Sequence, residues 1–309
     1  MADFDHFLLT RFSSVFVPDA PPMGEDWLRY RLAFFWDAAH PSVAAQRDAD
    51  FTWLVMFDDR CSDAFRQDVE ELAADGVFVP IWTHEPFWDD RFASHVAARS
   101  TAPYVITTRM DSDDAIAVDF LASVQRQFEH QDLLFVDFVR GLQIDRRGWV
   151  YRHDQLSNPF LSLIERRPSD APPRTVFLAS QHPRARRYAP VREVKAPPMW
   201  LQVIHDANIA NLVNGTRVSP SQANDRFVLD LAYRREVPGL TLVRERAVQR
   251  ARLARLWGAH PGELLRHLEA GIVRARGTHD LPQNDNARNA TDLARRLAAR
   301  LGRSNVRSS

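Results

Sequence analysis

A β-forming apolar segment runs straight into three carboxylates in YVITTRMDSDD, residues 104–114. If the chain stays extended to Asp113, the two-residue strand period sends the Asp111 and Asp113 side chains to the same side, where they can share one cation. Carboxylate oxygens are hard donors suited to Mg²⁺ or Mn²⁺, and such ions commonly keep open positions for substrate phosphates. The chemistry on offer is a metal site that holds a diphosphate. The triplet also has an ordinary reading. Asp-x-Asp occurs again at Asp3/Asp5 and Asp48/Asp50, and neither pair directly follows a predicted buried strand. Asp113 or Asp114 would equally well cap a helix over AIAVDFLASVQRQFEH, residues 115–130. Two other strand-like runs end in side chains that could do chemistry: HFLLTRF (6–12) carries Thr10 and Arg11, and FTWLVMF (51–57) is followed by Asp58 and Asp59.

These residues need a scaffold that brings strand ends together. Strand-like runs at 6–12, 51–57, 77–82, 104–110 and 132–138 are short, rich in β-branched or aromatic residues, and bounded by polar segments. Helical patterns lie between them. DWLRYRLAFFWDAAH (26–40) places Leu28, Leu32, Phe35 and Trp36 on one face, and DAFRQDVEELAADG (63–76) opens on Asp63 as an N-cap and closes on Gly76. The alternation predicts an α/β fold with a mainly parallel sheet covered on both faces, in which ligands bind outside the carboxyl ends of the strands. LQIDRRGWVYR (142–152) breaks the rhythm as a β-hairpin insertion turning at Arg146–Gly148. Beyond Pro220 the periodicity is helical over 225–235, 246–258, 261–277 and 287–302, with only LTLV (240–243) β-like. The expected organisation is a catalytic domain over 1–220 and a helical extension over 221–309.

Composition narrows the function classes. With 309 residues, 45% hydrophobic, the chain can bury a substantial core. It has no apolar run near the roughly 18 residues of a membrane span, and its N-terminus is acidic where a signal peptide would be basic, so a soluble, cytoplasmic protein is expected. The single Cys61 excludes an intramolecular disulfide framework and a multi-cysteine zinc site. Charge is balanced at 40 basic and 40 acidic residues, but residues 244–309 hold 14 arginines against 6 acids, so the tail is basic and the body acidic. No finger or RNA-recognition motif accompanies that charge, so no nucleic-acid role is expected.

WLVMFDDRCSDAFRQDVEEL (53–72) followed by ARSTAPYVITTRMDSDDAIAVDFLASVQ (98–125) resembles the nucleotide-sugar-binding half of GT-A glycosyltransferases. The finer likeness is to the bacterial family called putative rhamnosyltransferases, through LLTRF, TRMDSDDAI, NPFLSLIE (158–165) and WLQVIHDANIAN (200–211), across roughly residues 5–215. This resemblance implies a metal-dependent glycosyltransferase acting on a nucleotide-sugar donor. Asp111 and Asp113 would bind the metal, with His205 completing the metal or diphosphate site and His182 as its rival. Asp58 would face the donor's base or ribose, beside Thr10. Arg11, Arg99 and Arg109 would neutralise phosphate, since a guanidinium binds phosphate oxygens in a bidentate manner. Trp200 and Gln202 would help close the site. Glu165, or else Asp154, would take the proton from the acceptor hydroxyl. Two other readings stay open: a nucleotidyltransferase, for which the N-terminal stretch offers only Gly24 where a Gly-rich loop is usual, and a non-catalytic nucleotide-sugar-binding domain.

The acceptor expected for such an enzyme is a glycan, lipid-linked or polysaccharide. Arg250, Arg252, Arg255, Arg266, Arg274 and Arg276 recur through segments that also carry Leu253, Leu256, Trp257, Leu264, Leu265 and Leu268, so the leucines can pack inward while the arginines face out. That arrangement is consistent with a solvated face. It also predicts a reversible, salt-sensitive attraction of residues 244–309 to an anionic membrane surface such as the inner leaflet.

Overall fold

The computed structural model describes residues 3–87, 91–179, 182–205, 213–233, 235–276 and 279–281. In chain order the strands are β1 (Phe4–Arg11), β2 (Thr52–Phe57), β3 (Val79–Trp82), β4 (Tyr104–Arg109), β5 (Ala115–Ile116), β6 (Leu133–Phe138), β7 (Arg140–Asp145), β8 (Val150–Asp154), β9 (Ser162–Arg166), β10 (Val191–Val194), β11 (Trp200–Ile204), β12 (Thr216–Arg217) and β13 (His279–Leu281). The helices are α1 (Glu25–Phe34), continued through a π-helical turn into α2 (His40–Ala44), then α3 (Asp63–Ala73), α4 (Phe92–Ala97), α5 (Phe120–Gln125), α6 (Ser221–Asn224), α7 (Gly239–Ala259) and α8 (Pro261–Arg276). None among the described residues is long and apolar enough to cross a membrane.

Eight strands form the main sheet in the order β13-β10-β6-β9-β4-β1-β2-β3. It is mainly parallel; β9 runs antiparallel to both β4 and β6, and β13 runs antiparallel to β10. Strand alternation explains why the core runs read as continuously apolar. Leu8, Trp53, Val55, Phe57 and Ile106 pack on one face with Leu28, Phe35, Phe65 and Phe120 from the helices. Phe7, Leu9, Leu54, Met56 and Val105 pack on the other with Phe92 and Val96 of α4. A sheet covered on both faces has no polar alternation to show. The α/β architecture expected of a GT-A-like chain is therefore present.

A second sheet, β12-β8-β7-β11-β5, abuts the first. Its centre is the predicted hairpin: β7 and β8 pair antiparallel, and the turn closes where the Gly148 amide donates to the Asp145 carbonyl at 2.8 Å, with Gly148 at φ 70°. Trp200 on β11 is fully buried here. Its ring stacks on Phe160 with centroids 5.2 Å apart and lies against the bare backbone of Gly141, and its indole N–H donates to the Phe138 carbonyl at 2.7 Å. Trp200 is a core residue, so its expected place at the donor is corrected.

Other local expectations shift for identifiable reasons. Ser62, not Asp63, caps α3, its hydroxyl accepting from the Phe65 amide at 3.1 Å. The helix expected over 115–130 shrinks to α5, because Ala115 and Ile116 pair with β11 instead. Residues 225–233 are not helical, and LTLV lies in the first turns of α7, where the helical period of the following residues overrides its β-branched character. The helix expected over 287–302 lies outside the described residues.

His6 on β1 gives the fold a measurable pH signature. It is 3% exposed, bonded at 2.9 Å to the Thr108 hydroxyl and at 3.2 Å to the Gln125 amide, and burial pushes its pKa from 6.5 down to about 3. Between those values the unfolded chain takes up a proton that the folded one refuses, so stability falls as pH falls through that window. Relative to His6→Gln, the wild-type unfolding free energy should drop by about 1.4 kcal/mol per pH unit between pH 6 and 4. Urea titrations of both proteins across that range measure this, and parallel pH profiles would show that the imidazole titrates normally.

Candidate active site

The carboxyl ends of β1 and β4 open onto a cavity of about 1000 Å³. Arg11, Ser13, Trp27, Arg31, Asp111 and Asp113 line it, together with Gln143, His153, Asp154, His182 and Gln202. Strand β4 ends at Arg109, and the Asp114 amide bonds back to the Asp111 carbonyl at 3.3 Å, so residues 111–114 form a turn and not an extended strand. Even so, both Asp111 and Asp113 reach the cavity.

Asp113 is held from two directions. Arg31 of α1 donates from its two terminal nitrogens to Oδ2 at 2.8 Å and Oδ1 at 3.2 Å, and also to the Ser112 hydroxyl at 2.7 Å. The His205 Nε2 lies 2.8 Å from Asp113 Oδ2, and its ring stacks on Phe34 with centroids 4.0 Å apart. Arg31 occupies the same face of α1 as Leu28, Leu32 and Phe35, a cation on an otherwise apolar stripe. That cation on an apolar face is the signal in the sequence that marks it. His205 orients Asp113 rather than lining the cavity as a separate donor. The part of WLQVIHDANIAN that follows His205 lies outside the described residues.

Asp111 keeps 40% of its side chain exposed and accepts from Arg109 at 3.2 Å. Burial alone would raise its pKa, but Arg109, Arg11 and His182 outweigh that and hold the carboxyl below its usual range. Asp114 is buried and points elsewhere. It accepts the Val203 amide at 3.0 Å, pinning β11, and burial together with the negative charges of Asp113 and Asp111 pushes its pKa well up. The Arg11 guanidinium lies about 5 Å from the rings of Phe16, Phe87 and Phe177, which hold it at the cavity wall (5.0, 5.2 and 4.8 Å). His182 bonds through Nδ1 to the Ser157 carbonyl, so Nδ1 carries the proton and Nε2 the lone pair. Burial, and then Arg109, lower its pKa to about 4, which keeps it neutral near pH 7.

Several expected site residues lie elsewhere. Glu165 is on the antiparallel strand β9 opposite Val105, so it lies at the amino end of β4, away from the cavity. Its carboxylate accepts the Arg174 and Thr175 amides at 3.0 and 2.9 Å and braces that loop. Arg99 precedes β4, is exposed, and donates to the His95 carbonyl at 3.1 Å, on that same amino edge. Thr10 is buried beneath the site, accepting from the Trp53 indole at 2.9 Å. Asp58 does not line the cavity either. Arg60 grips both its oxygens, and its amide donates to the Ser13 hydroxyl at 2.9 Å, so it supports a lining residue. Gln202 does line the cavity, its amide oxygen accepting from Gln143 at 3.2 Å.

Asp111 and Asp113 have the donor chemistry for a hard divalent cation and share the cavity wall. A three-donor cage with His205 is not assembled: among the described residues no group of three or more His, Cys, Asp or Glu is arranged to hold a metal ion. What fits is an ion on one or two carboxylates with its other positions left to water and substrate phosphates, which is how Mg²⁺ is usually held.

A family model described as "Putative rhamnosyl transferase" matches residues 22–217, more than half of the chain and the whole carboxylate-bearing region. The chain belongs to this family. It is thus a member of a glycosyltransferase family. No curated protein matches it. Among solved structures, S. aureus TarS 1-349 is similar at 12% identity, with 64% of this chain and 60% of that chain covered and a TM-score of 0.34. The complex of TarS 1-349 with UDP-GlcNAc is similar at 15% identity, covering 71% and 62%, with a TM-score of 0.35. HddC from Yersinia pseudotuberculosis complexed with GMP-PN is similar at 10% identity, covering 64% and 89%, with a TM-score of 0.29. The chain spans about three fifths of the length of the TarS 1-349 structures.

Proposed function

We propose that this cavity binds a nucleoside-diphosphate sugar and that the protein transfers the sugar, rhamnose by its family, to an acceptor hydroxyl on a glycan, lipid-linked or polysaccharide substrate. The observation that carries the reading is the meeting of Asp111 and Asp113 with Arg11 and Arg31 at the carboxyl ends of β1 and β4. Asp111 and Asp113 would hold Mg²⁺ or Mn²⁺ together with the diphosphate. The chemistry a bound divalent cation supplies is offset of the negative charge that builds on the departing diphosphate.

The chain's own residues do the remaining work. Arg11 donates to phosphate oxygens from its aromatic seat, a charge-assisted bond. Arg31 and His205 fix the Asp113 carboxylate, and Arg109 fixes Asp111, so little reorganisation remains when the donor arrives. Asp154 takes the acceptor proton, because it lines the cavity where Glu165 does not. Arg140 and Arg152 approach its carboxylate to 4.0 and 3.6 Å.

Calorimetric titration with nucleoside diphosphates, with and without Mg²⁺, tests the reading. Arg11→Ala should weaken binding about 10- to 100-fold, the worth of one or two charge-assisted hydrogen bonds. An unchanged affinity would remove Arg11 from the donor site.

A further inference from the structure

The helical extension does not stand apart from the cavity. Its inner surface is anchored: Arg217 and Glu245 form a buried ion pair at 2.8 Å, Gln249 donates to the Gly215 carbonyl at 2.9 Å, and Leu253 is 2% exposed. On α8, Ala270 and Val273 pack with Val139 and Leu156. With those faces committed, the α7–α8 junction presents Trp257, Glu263 and His267 to the end of the cavity that carries His153 and Asp154.

The chemistry of that end differs from the donor side. Trp257 is only partly buried, and its indole lies beside the His267 imidazole at 5.1 Å between centroids, so a large aromatic face borders the cavity without being consumed by the core. Glu263 holds an ion pair with Arg266 and lies close enough to His153 to favour its charged form, while burial dominates and lowers that imidazole's pKa to about 4. An indole surface flanked by carboxylates and a neutral imidazole suits a pyranose ring, whose C–H face is apolar and whose rim is all hydroxyl. The cavity, at about 1000 Å³, is also at the top of the range of roughly 300–1,000 Å³ for a single small-molecule site.

We propose that the α7–α8 junction is the acceptor subsite, that it takes a saccharide whose ring stacks on Trp257, and that Glu263 and His267 bind its hydroxyls. This rests on the donor reading only in placing the acceptor hydroxyl toward Asp154. The test is saturation-transfer NMR of the full chain with a panel of methyl glycosides and oligosaccharides, in the presence of saturating nucleoside diphosphate, alongside calorimetry of the nucleoside diphosphate itself. At least one saccharide should bind the wild type. Trp257→Ala should weaken it at least tenfold, Trp257→Phe should recover part of the loss, and nucleoside-diphosphate affinity should stay within twofold in both variants. A saccharide bound equally well by Trp257→Ala would overturn the proposal. So would a parallel loss of nucleoside-diphosphate affinity, which would assign Trp257 to the donor. Nucleoside-diphosphate binding with no saccharide binding defeats the acceptor subsite alone, whereas loss of both defeats the donor reading as well.

Discussion

Asp113→Asn is expected to lower sugar transfer by at least 100-fold while leaving the fold intact. The substitution keeps the shape and one acceptor oxygen, but removes the charge that Arg31 pairs with at 2.8 Å and that a divalent cation would share. Losing a group that fixes charge at the reacting diphosphate typically costs about 2.7–4 kcal/mol of transition-state stabilisation. Arg31 keeps the Ser112 hydroxyl and the Trp27 ring, 5.5 Å away, as partners, so the site should not collapse. Initial rates with a nucleotide-sugar donor, read beside a thermal melt, make the comparison. A variant as active as wild type would show that the carboxylate is structural.

The second large effect concerns stability. Arg217 is 3% exposed, and besides Glu245 it donates to the Val150 and Val218 carbonyls, joining β8, β12 and α7 in one buried network. Arg217→Met should destabilise the protein by about 3–5 kcal/mol, because it strands a buried carboxylate. Adding Glu245→Leu should restore part of that, since the stranded charge is then gone. Urea unfolding measures both variants, and a loss below about 1 kcal/mol for the single change would mean that the extension is held by other contacts. Since α7 carries Trp257, a loosened extension should also weaken the far wall of the cavity.

What could be read from the chain beforehand was what depends on local periodicity. The apolar strands, the hairpin turning at Gly148 and the carboxylates after β4 follow from alternation and turn chemistry. Strand direction was not legible. Glu165 looked like a site residue because it closes a strand, but β9 runs antiparallel and delivers it to the wrong edge of the sheet. Arg99 sits on that same amino edge, ahead of β4. Trp200 and His205 stand five residues apart in one motif, yet the first is buried within β11 against Phe160 and the second, just past the end of that strand, reaches Asp113. Arg31 was readable as a cation on an apolar face, although its partner 82 residues away was not. The wall formed by Trp257 depends on how the helical hairpin docks, and no local pattern records that.

The most direct measurement is release of nucleoside diphosphate from a panel of nucleotide sugars, nucleoside-diphosphate rhamnoses among them, with Mg²⁺ or Mn²⁺ present and Asp113→Asn as the matched control. A donor site at the carboxyl ends of β1 and β4 predicts that at least one nucleotide sugar is turned over, slowly with water and faster with a saccharide acceptor, and that the variant loses this. No turnover of any donor, or equal turnover by Asp113→Asn, would contradict it.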